Sequence, residues 1–548
     1  MPGVSTSLDT NGFDMMMSMQ MDLGVILSAA QNYREAARAA LARRLANRPV
    51  DAEQRAAHGF AWIATSVAAL EAVASWAEGS TNPLDTQVAQ LAFVETLGQL
   101  TGALLMGPAE MLRPADLGLT AEARALAEAA APLLDADLAE TRATLAAALA
   151  EGQWPSETLH DEALDEIRAQ FRRFTDAEII PHAHKWHLAN ALIPDETVSA
   201  MADLGTFGVC IQEEYGGLGL GKLVMCLVSE ELSRGWIGAG SLGTRSEIAG
   251  ELIMLGGTEA QKAQWLPRIA AGETLPVAVF TEPDVGSDLG ALTTRAAQDE
   301  TGDWVINGAK TWITHAARSD VMTLLVRTQP DTPGYAGLSM LLVPKPRGTE
   351  HNPFPAEGMT GSEIEVLGYR GMREYALQFD GMRAPADALL GGKQGAGFKQ
   401  LMQTFEGARI QTAARAVGTA RRALELGLDY ALQRKQFGQA LIHFPRVADK
   451  LAVILAEYVT ARELSYAAAR AKDAGHRCDI EACMAKLHAA RAAWTAADAS
   501  LQIHGGNGYA LEYEISRVLC DARILSIFEG AAEIQAQVIA RGLMAGRG

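Results

Sequence analysis

The amino-acid sequence predicts an α+β fold that is mostly α, judged from where its apolar residues recur. Between Asp22 and Gly152 they keep helical spacing, as in "FAWIATSVAALEAVASWAE" and "TQVAQLAFVETLGQLTGALL". From Pro276 to Leu390 the period shortens. "PVAVFTE", "WVINGAKTWIT", "VMTLLVRT", "GLSMLLVP" and "YALQFDG" are β-branched or alternating runs bounded by Gly, Pro, Asp and Asn. After "GGKQGAGF" long helices return, and Val447, Leu451, Ile454, Leu455 and Tyr458 keep one apolar stripe.

Taken in order, residues 1–21, Met-rich and carrying Asp9 and Asp14, read as a flexible terminus. Residues 22–156 form an all-helical extension rich in Ala, Leu and Glu. Residues 157–275 form a helical domain interrupted by "GVCIQEEYGGLGLGK", residues 276–392 a β domain, and residues 393–548 a C-terminal helical bundle. A chain of 548 residues that is 49% hydrophobic can bury several cores, and typical domain sizes suggest about three to four units.

Charge and cysteine usage exclude several classes. Lys and Arg number 47 against 66 Asp and Glu, and the resulting charge of −19 repels phosphate backbones and anionic lipid, so no nucleic acid and no membrane is expected as partner. Cys210, Cys226, Cys478, Cys483 and Cys520 are too sparse for a disulfide framework, which points to a reducing compartment. The first residues carry acids where a signal peptide needs positive charge, and no run of 18 apolar residues follows, so the expected location is cytoplasmic. "GGLGLGK", Gly216 to Lys222, has the spacing of a phosphate-binding loop, but Leu223 stands where Ser or Thr must hold magnesium. His476, Cys478, Cys483 and His488 lack the paired short spacing of a zinc site, and no metal is expected.

Five segments in fixed order carry more information: "DLGTFGVCIQEEYGGLGLG", "VFTEPDVGSDLGAL", "KTWIT", "YALQRKQFGQALIHFP" and "LQIHGGNGYALEYEISRVLCDARILSIFEGAAEIQ". Together they resemble the acyl-CoA dehydrogenase family from about Glu157 to Arg541. The resemblance implies a helical domain, a central β domain and a C-terminal four-helix bundle. It also implies bound FAD, a homo-oligomer (dimer or tetramer), and an electron-transferring flavoprotein as electron acceptor. By the same resemblance Phe280, Thr281, Gly286, Ser287, Trp312 and Thr314 contact the flavin of their own subunit. Arg434, with Gln436 and Phe437 beside it, reaches the FAD pyrophosphate of a neighbouring subunit, and Gln502, Gly505 and Gly506 form the adenosine-side loop. The residue types suit these tasks. Gly286 lets backbone approach a cofactor closely, Thr281, Ser287 and Thr314 supply hydroxyls, and Trp312 supplies an aromatic plane. Without the family, Arg434 is a solvated helix charge, Trp312 a half-buried strand aromatic and "GGNG" a plain turn. Ala531, Glu533 and Pro445 depart from the family's usual flavin contacts.

Dehydrogenating a thioester between its α and β carbons needs a base for the α proton, because a flavin accepts only the β hydride. Glu529 stands where the family's base stands, and its neighbours Ile527 and Phe528 are expected to raise its pKa by desolvation. Taken alone it reads as an acid near a helix start. Other members of the family draw the base from an earlier helix, here "FEGARIQ", where Ala408 stands at the corresponding position. Glu406 is the runner-up base or a CoA-side contact, and Arg409 resembles an arginine that organises the base region. The extension, "KTWITHAAR" and "GTRSEIAGELIML" look like those of members that oxidise (2S)-methylsuccinyl-CoA to mesaconyl-CoA. Another short or branched acyl-CoA, or an oxidase reaction, is the alternative. The far carboxylate of a dicarboxylic thioester cannot be buried unpaired, so Arg245 is the expected partner, with Thr244 and Ser246 adding hydroxyls. Ser287 and Gly530 are further substrate-side candidates, and Arg318 is the other candidate cation. Taken alone, Arg245 reads as a solvent-facing charge paired with Glu247 or Glu251.

Overall fold

Two compact units emerge in the computed structural model, which describes residues 10–547. One combines the N-terminal residues up to Glu157 with Ala431–Leu464 and the C-terminal residues from Ala536; the other combines Thr158–Tyr430 with Ser465–Gln535. Of the segment expected to be a flexible terminus, residues 1–9 lie outside the described residues. The remainder is the start of a helix, in keeping with the helix propensity of straight-chain Met.

The first unit begins with α1 (Thr10–Leu45), α2 (Gln54–Ala77) and α3 (Pro83–Thr101). Helix α2 is apolar nearly all round, and Phe60, Ile63, Val67, Leu70 and Val73 are fully buried, with α1 and α3 packed on it. By length and composition Val50–Ala77 is a candidate membrane span, yet most of that window is buried within the protein. Asn82 starts α3 by accepting a hydrogen bond from the Leu84 N–H, with Pro83 in the first turn, where its missing N–H costs nothing. A hairpin, β1 (Leu104–Gly107) and β2 (Glu110–Leu112), interrupts what the sequence presents as an all-helical extension. Pro108 and Ala109 turn the chain, and Leu112 packs over Gly59 of α2, where a Cβ would meet a Leu112 methyl at 2.6 Å. Three helices follow: α4 (Pro114–Leu117), α5 (Thr120–Leu134) and α6 (Ala139–Ala150).

The second unit opens with α7 (Glu162–Phe174), α8 (Ile180–Leu188), α9 (Asp195–Asp203), α10 (Lys222–Gly235), α11 (Ile237–Gly256) and α12 (Glu259–Ala270). A reciprocal Thr258–Gln261 capping box starts α12. The sheet follows: β3 (Pro276–Val279), β4 (Arg295–Gln298), β5 (Trp304–Thr314), β6 (Val321–Arg327), β7 (Leu338–Pro344), β8 (Met359–Ile364) and β9 (Glu374–Ala384). Its order is β3-β6-β4-β5-β9-β8, with β7 also paired to β6. Strand β6 is buried on both faces. Met322, Leu324 and Val326 join the core of the sheet, while Val321 and Leu325 meet Leu252 of α11 and Leu266 and Ile269 of α12. Its sequence therefore runs nearly unbroken in apolar residues. The β5–β9 ladder loses register between Lys310 and Ile313, and within that break Trp312 takes a φ of 57°.

The chain continues through α13 (Gly397–Gln433), the two-residue strands β10 (Lys435–Gln436) and β11 (Gln439–Ala440), α14 (Pro445–Asp473), α15 (Asp479–His504), α16 (Ile515–Ile524) and α17 (Ala532–Met544). Within the second unit, Gly418 of α13 lies so close to α10 that a Cβ there would meet the Glu230 carbonyl oxygen at 2.1 Å. That contact brings the polar face of α13 into the interior.

Candidate active site

Between α16 and α17 the backbone turns through two left-handed residues, Glu529 with a φ of 52° and Gly530 with a φ of 87°. A non-glycine residue held there costs about 1–3 kcal/mol and persists only when its surroundings fix it. Here they do. Gln535 Nε2 donates to the Glu529 carbonyl at 3.1 Å and to the Gly530 carbonyl at 3.0 Å, and Lys486 Nζ donates to the Gly530 carbonyl at 2.7 Å. Phe528 packs edge-on against Tyr369 at 5.1 Å and lies under the Arg415 guanidinium at 4.9 Å.

The Glu529 carboxylate meets two arginines and a threonine. Its Oε1 lies 2.8 Å from Arg245 Nη2 on α11 and 2.9 Å from Arg415 Nη2 on α13, and its Oε2 accepts from the Thr412 hydroxyl at 2.6 Å. Arg415 is wholly buried and also donates to Thr412 Oγ1 and Ser241 Oγ, each at 2.7 Å. The expected rise in the Glu529 pKa is not found. Burial pushes the carboxyl up, but Arg415, Arg245 and the Thr412 hydroxyl outweigh it and hold it at about 2.

The substrate-side candidates distribute differently from their sequence neighbourhood. Arg245 is buried rather than solvent-facing, because α11 is enclosed along most of its length. Glu247 and Glu251 pair with Lys222 instead. Successive residues on a helix diverge, so Thr244 and Ser246 do not flank the Arg245 guanidinium. Thr244 donates to the Gly240 carbonyl of its own helix at 3.3 Å, and the Ser246 hydroxyl is buried with no partner among the described residues. Arg318 is occupied by Asp195 and the Ile193 carbonyl. Glu406 pairs with Lys472 at 2.6 Å, Ala408 is buried, and Arg409 lies over the Phe405 ring at 5.3 Å.

On the sheet, the β5 break leaves Trp312 57% exposed. The Thr311 N–H donates to the Thr281 carbonyl at 3.0 Å, which sets the loop after β3 beside the indole. That loop is clamped from within. Lys310 Nζ donates to the Phe280 carbonyl at 2.8 Å and pairs with Glu282 at 3.2 Å, while Glu282 accepts from the N–H groups of Thr293 and Thr294 at 2.8 Å each. Phe280 and Thr281 are half-buried, Ser287 is exposed, and Gly286 has open space where a Cβ would sit. Thr314 is buried and its hydroxyl donates to Glu374 Oε2 at 3.1 Å. An outward indole beside an open glycine and two hydroxyls fits a planar aromatic cofactor. Gln502, Gly505 and Gly506 are exposed at the end of α15 in the same unit. Arg434, Gln436 and Phe437, the last 93% exposed, belong to the other unit.

Arg415, Thr412, Tyr369, Lys486 and Gln535 escape a reading of the sequence. One signal was present: Ala408, Thr412 and Arg415 share a helix face at spacings of four and three, so a cation falls on an Ala-rich stripe.

Models of the N-terminal, middle and C-terminal domains of acyl-CoA dehydrogenases match residues 161–273, 278–382 and 395–544. The chain belongs to the acyl-CoA dehydrogenase family. Acyl-CoA dehydrogenases are FAD-dependent oxidoreductases, and the exposed Trp312 face is consistent with that cofactor. A (2S)-methylsuccinyl-CoA dehydrogenase of Cereibacter sphaeroides is 56% identical over 526 residues, covering 93% of this chain and 95% of that protein. A glutaryl-CoA dehydrogenase of Mycobacterium smegmatis, solved with FADH2, superposes with a TM-score of 0.64 at 29% identity, covering 70% of this chain and 95% of its own. A solved chain described under the electron transferring flavoprotein of Acidaminococcus fermentans gives a TM-score of 0.66 at 30% identity, covering 71% of this chain and 99% of its own. This acyl-CoA dehydrogenase thus shares nearly its full length with the first relative, whereas the two solved chains are matched almost whole by about seven-tenths of it.

Proposed function

We propose that this acyl-CoA dehydrogenase oxidises (2S)-methylsuccinyl-CoA to mesaconyl-CoA, with Glu529 as the base for the α proton and Arg245 as the partner of the substrate's far carboxylate. The observation that carries the reading is the buried Arg245 guanidinium, 2.8 Å from Glu529. A fatty acyl chain gives a buried cation no partner, whereas a second carboxylate does. Bound FAD supplies the acceptor for the β hydride. A dicarboxylic thioester also changes the base. With Arg245 drawn onto the substrate, Glu529 loses one of the two arginines that, together with Thr412, oppose the desolvation that pushes its pKa up. A stronger base results, so the correct substrate activates the group that attacks it. Electrons then pass to an electron-transferring flavoprotein, and the enzyme is a homo-oligomer of the cytoplasm. The identity to the Cereibacter sphaeroides enzyme, which extends through the N-terminal extension, supports the substrate.

Anaerobic addition of acyl-CoAs to the holoenzyme tests this. Methylsuccinyl-CoA is expected to bleach the flavin absorbance and butyryl-CoA to leave it, and bleaching by butyryl-CoA alone would overturn the reading. Arg245→Met should cost about 2–5 kcal/mol in kcat/KM for methylsuccinyl-CoA, while freeing Glu529 for a neutral analogue such as 2-methylbutyryl-CoA. Equal loss on both thioesters would remove Arg245 from carboxylate recognition.

A further inference from the structure

Against the backbone of the Glu529–Gly530 turn stands a buried lysine that the chemistry above leaves without a task. Lys486 sits in the N-terminal third of α15, is 1% exposed, and among the described residues has one hydrogen bond from its amine, 2.7 Å to the Gly530 carbonyl. Burying an ammonium is costly, and Met or Leu would fill the same volume without that cost. The bond falls on the residue next to Glu529, within two successive left-handed residues.

We infer that Lys486 is a positioning residue for the base: through the Gly530 carbonyl it holds the Glu529–Gly530 turn in its strained conformation and keeps a positive charge beneath the carboxylate. The inference rests on the assignment of Glu529 as base. Three observations support it. The strain needs an external hold, and the groups that supply it are Lys486 and Gln535, which both donate to the Gly530 carbonyl. The glycine itself is required, because a Cβ at Gly530 would meet Gln535 Nε2 at 2.3 Å, so the turn and its two donors are built to fit one another. Lys486 also lies in the field of Glu529, which favours its ammonium, as does Cys483 on its own helix; Arg409 and Arg415 of α13 oppose it. Burial is the largest influence and brings its pKa down to about 7. The amine therefore gains its charge as pH falls through neutrality, and a charged Lys486 then helps Glu529 stay ionised. A neutral amine still donates to the carbonyl, so the hold on the turn survives at higher pH while the charge does not.

The two contributions separate in variants of the holoenzyme. Lys486→Met removes both. Its kcat is expected to fall roughly 10–100-fold, the scale at which misplacing a catalytic group by about an ångström is felt, with KM and flavin content little changed. The acid limb of its kcat profile, which reports the substrate complex, should move to higher pH, because Glu529 has lost a neighbouring cation and protonates more readily. Lys486→Arg, which keeps the charge, should return the acid limb towards its original position, and Lys486→Gln, which keeps a donor, should recover part of kcat without moving the limb back. Wild-type kcat and an unmoved acid limb in Lys486→Met would overturn the inference, as would a loss confined to KM. Should Lys486→Met fail to fold, Lys486→Gln and Lys486→Arg decide on the same two readouts. Glu529→Gln measured alongside keeps the premise separate: if it turns over normally the base assignment falls, whereas an inactive Glu529→Gln beside an unaffected Lys486→Met refutes only the role of Lys486.

Discussion

Two carboxyls at the site are driven in opposite directions by burial and by cations. Glu529, at about 2, is ionised against its burial because Arg415 and Arg245 sit on it. Glu374 goes the other way. Burial raises it to about 7, and the Thr314 hydroxyl and the field of Arg245 recover only part of that rise. The stability consequences have opposite signs. A carboxyl lowered in the folded state stabilises above its unfolded pKa near 4.5, so Glu529 contributes about 3 kcal/mol that is lost as pH falls from there towards 2. A raised carboxyl binds more protons folded than unfolded, so Glu374 removes a comparable amount as pH rises from 4.5 to about 7. Glu374→Gln, which mimics the protonated acid, should raise Tm at pH 8 and leave it unchanged at pH 4. An equal shift at both pH values would mean that the carboxyl is not held neutral. For Glu529→Gln the expected result is kinetic: a fall in turnover of about 10²–10⁴ with FAD retained, measured at fixed flavin content. Undiminished turnover would move attention to Glu406, although that acid is already paired with Lys472.

Helices and strands were legible because each repeats a period, but the site depends on interruptions of those periods. The run "WVINGAKTWIT" shows β5, yet the break that turns Trp312 outward depends on how β9 pairs with it, and β9 begins about sixty residues further on. Likewise Glu529 stood out by its local setting, but the setting gave the wrong direction for its pKa, since Arg245 and Arg415 arrive from α11 and α13. On α13, attention to "GARIQ" favoured Arg409, whereas the close approach at Gly418 belongs to the helix face that buries Arg415. The clamp under the loop after β3 can be tested as an element. Lys310 is fully buried against Glu282, and its amine is brought down to about 8 by burial. Lys310→Met leaves a buried carboxylate unpaired, and should cost about 3–5 kcal/mol and release FAD from the loop it braces. Unchanged thermal stability with full flavin content would show that the pair does not hold the loop.

At the scale of the whole molecule, the extension is bonded into the C-terminal helices rather than appended to them. Within the first unit, Asp51 pairs with Arg541 of α17 at 2.5 Å, and His58 lies 3.0 Å from Gln537. Arg462 of α14, fully buried, donates to the Ser156 carbonyl at 2.9 Å and lies over the Trp76 ring at 5.6 Å. Removing residues 1–156 would therefore strip the cover from α14 and take the Trp76 ring and the Ser156 carbonyl from a buried guanidinium that keeps Glu463 and Tyr458. Loss of such partners costs several kcal/mol, on the order of the whole margin of a typical domain. A chain beginning at Glu157 has about the length that the solved relatives match, and on that ground alone it would be expected to fold. The contacts at Arg462 and Asp51 predict otherwise: the truncated chain should be aggregated or should melt well below the full-length enzyme, with lowered flavin content. Arg462→Met in the full chain separates cover from charge, because it removes the buried cation but leaves the extension in place to bury α14. If the truncated protein lost stability while Arg462→Met did not, the apolar cover would be the extension's contribution. A soluble truncated holoenzyme with full-length Tm would show that the extension contributes nothing to the stability of the helices it touches.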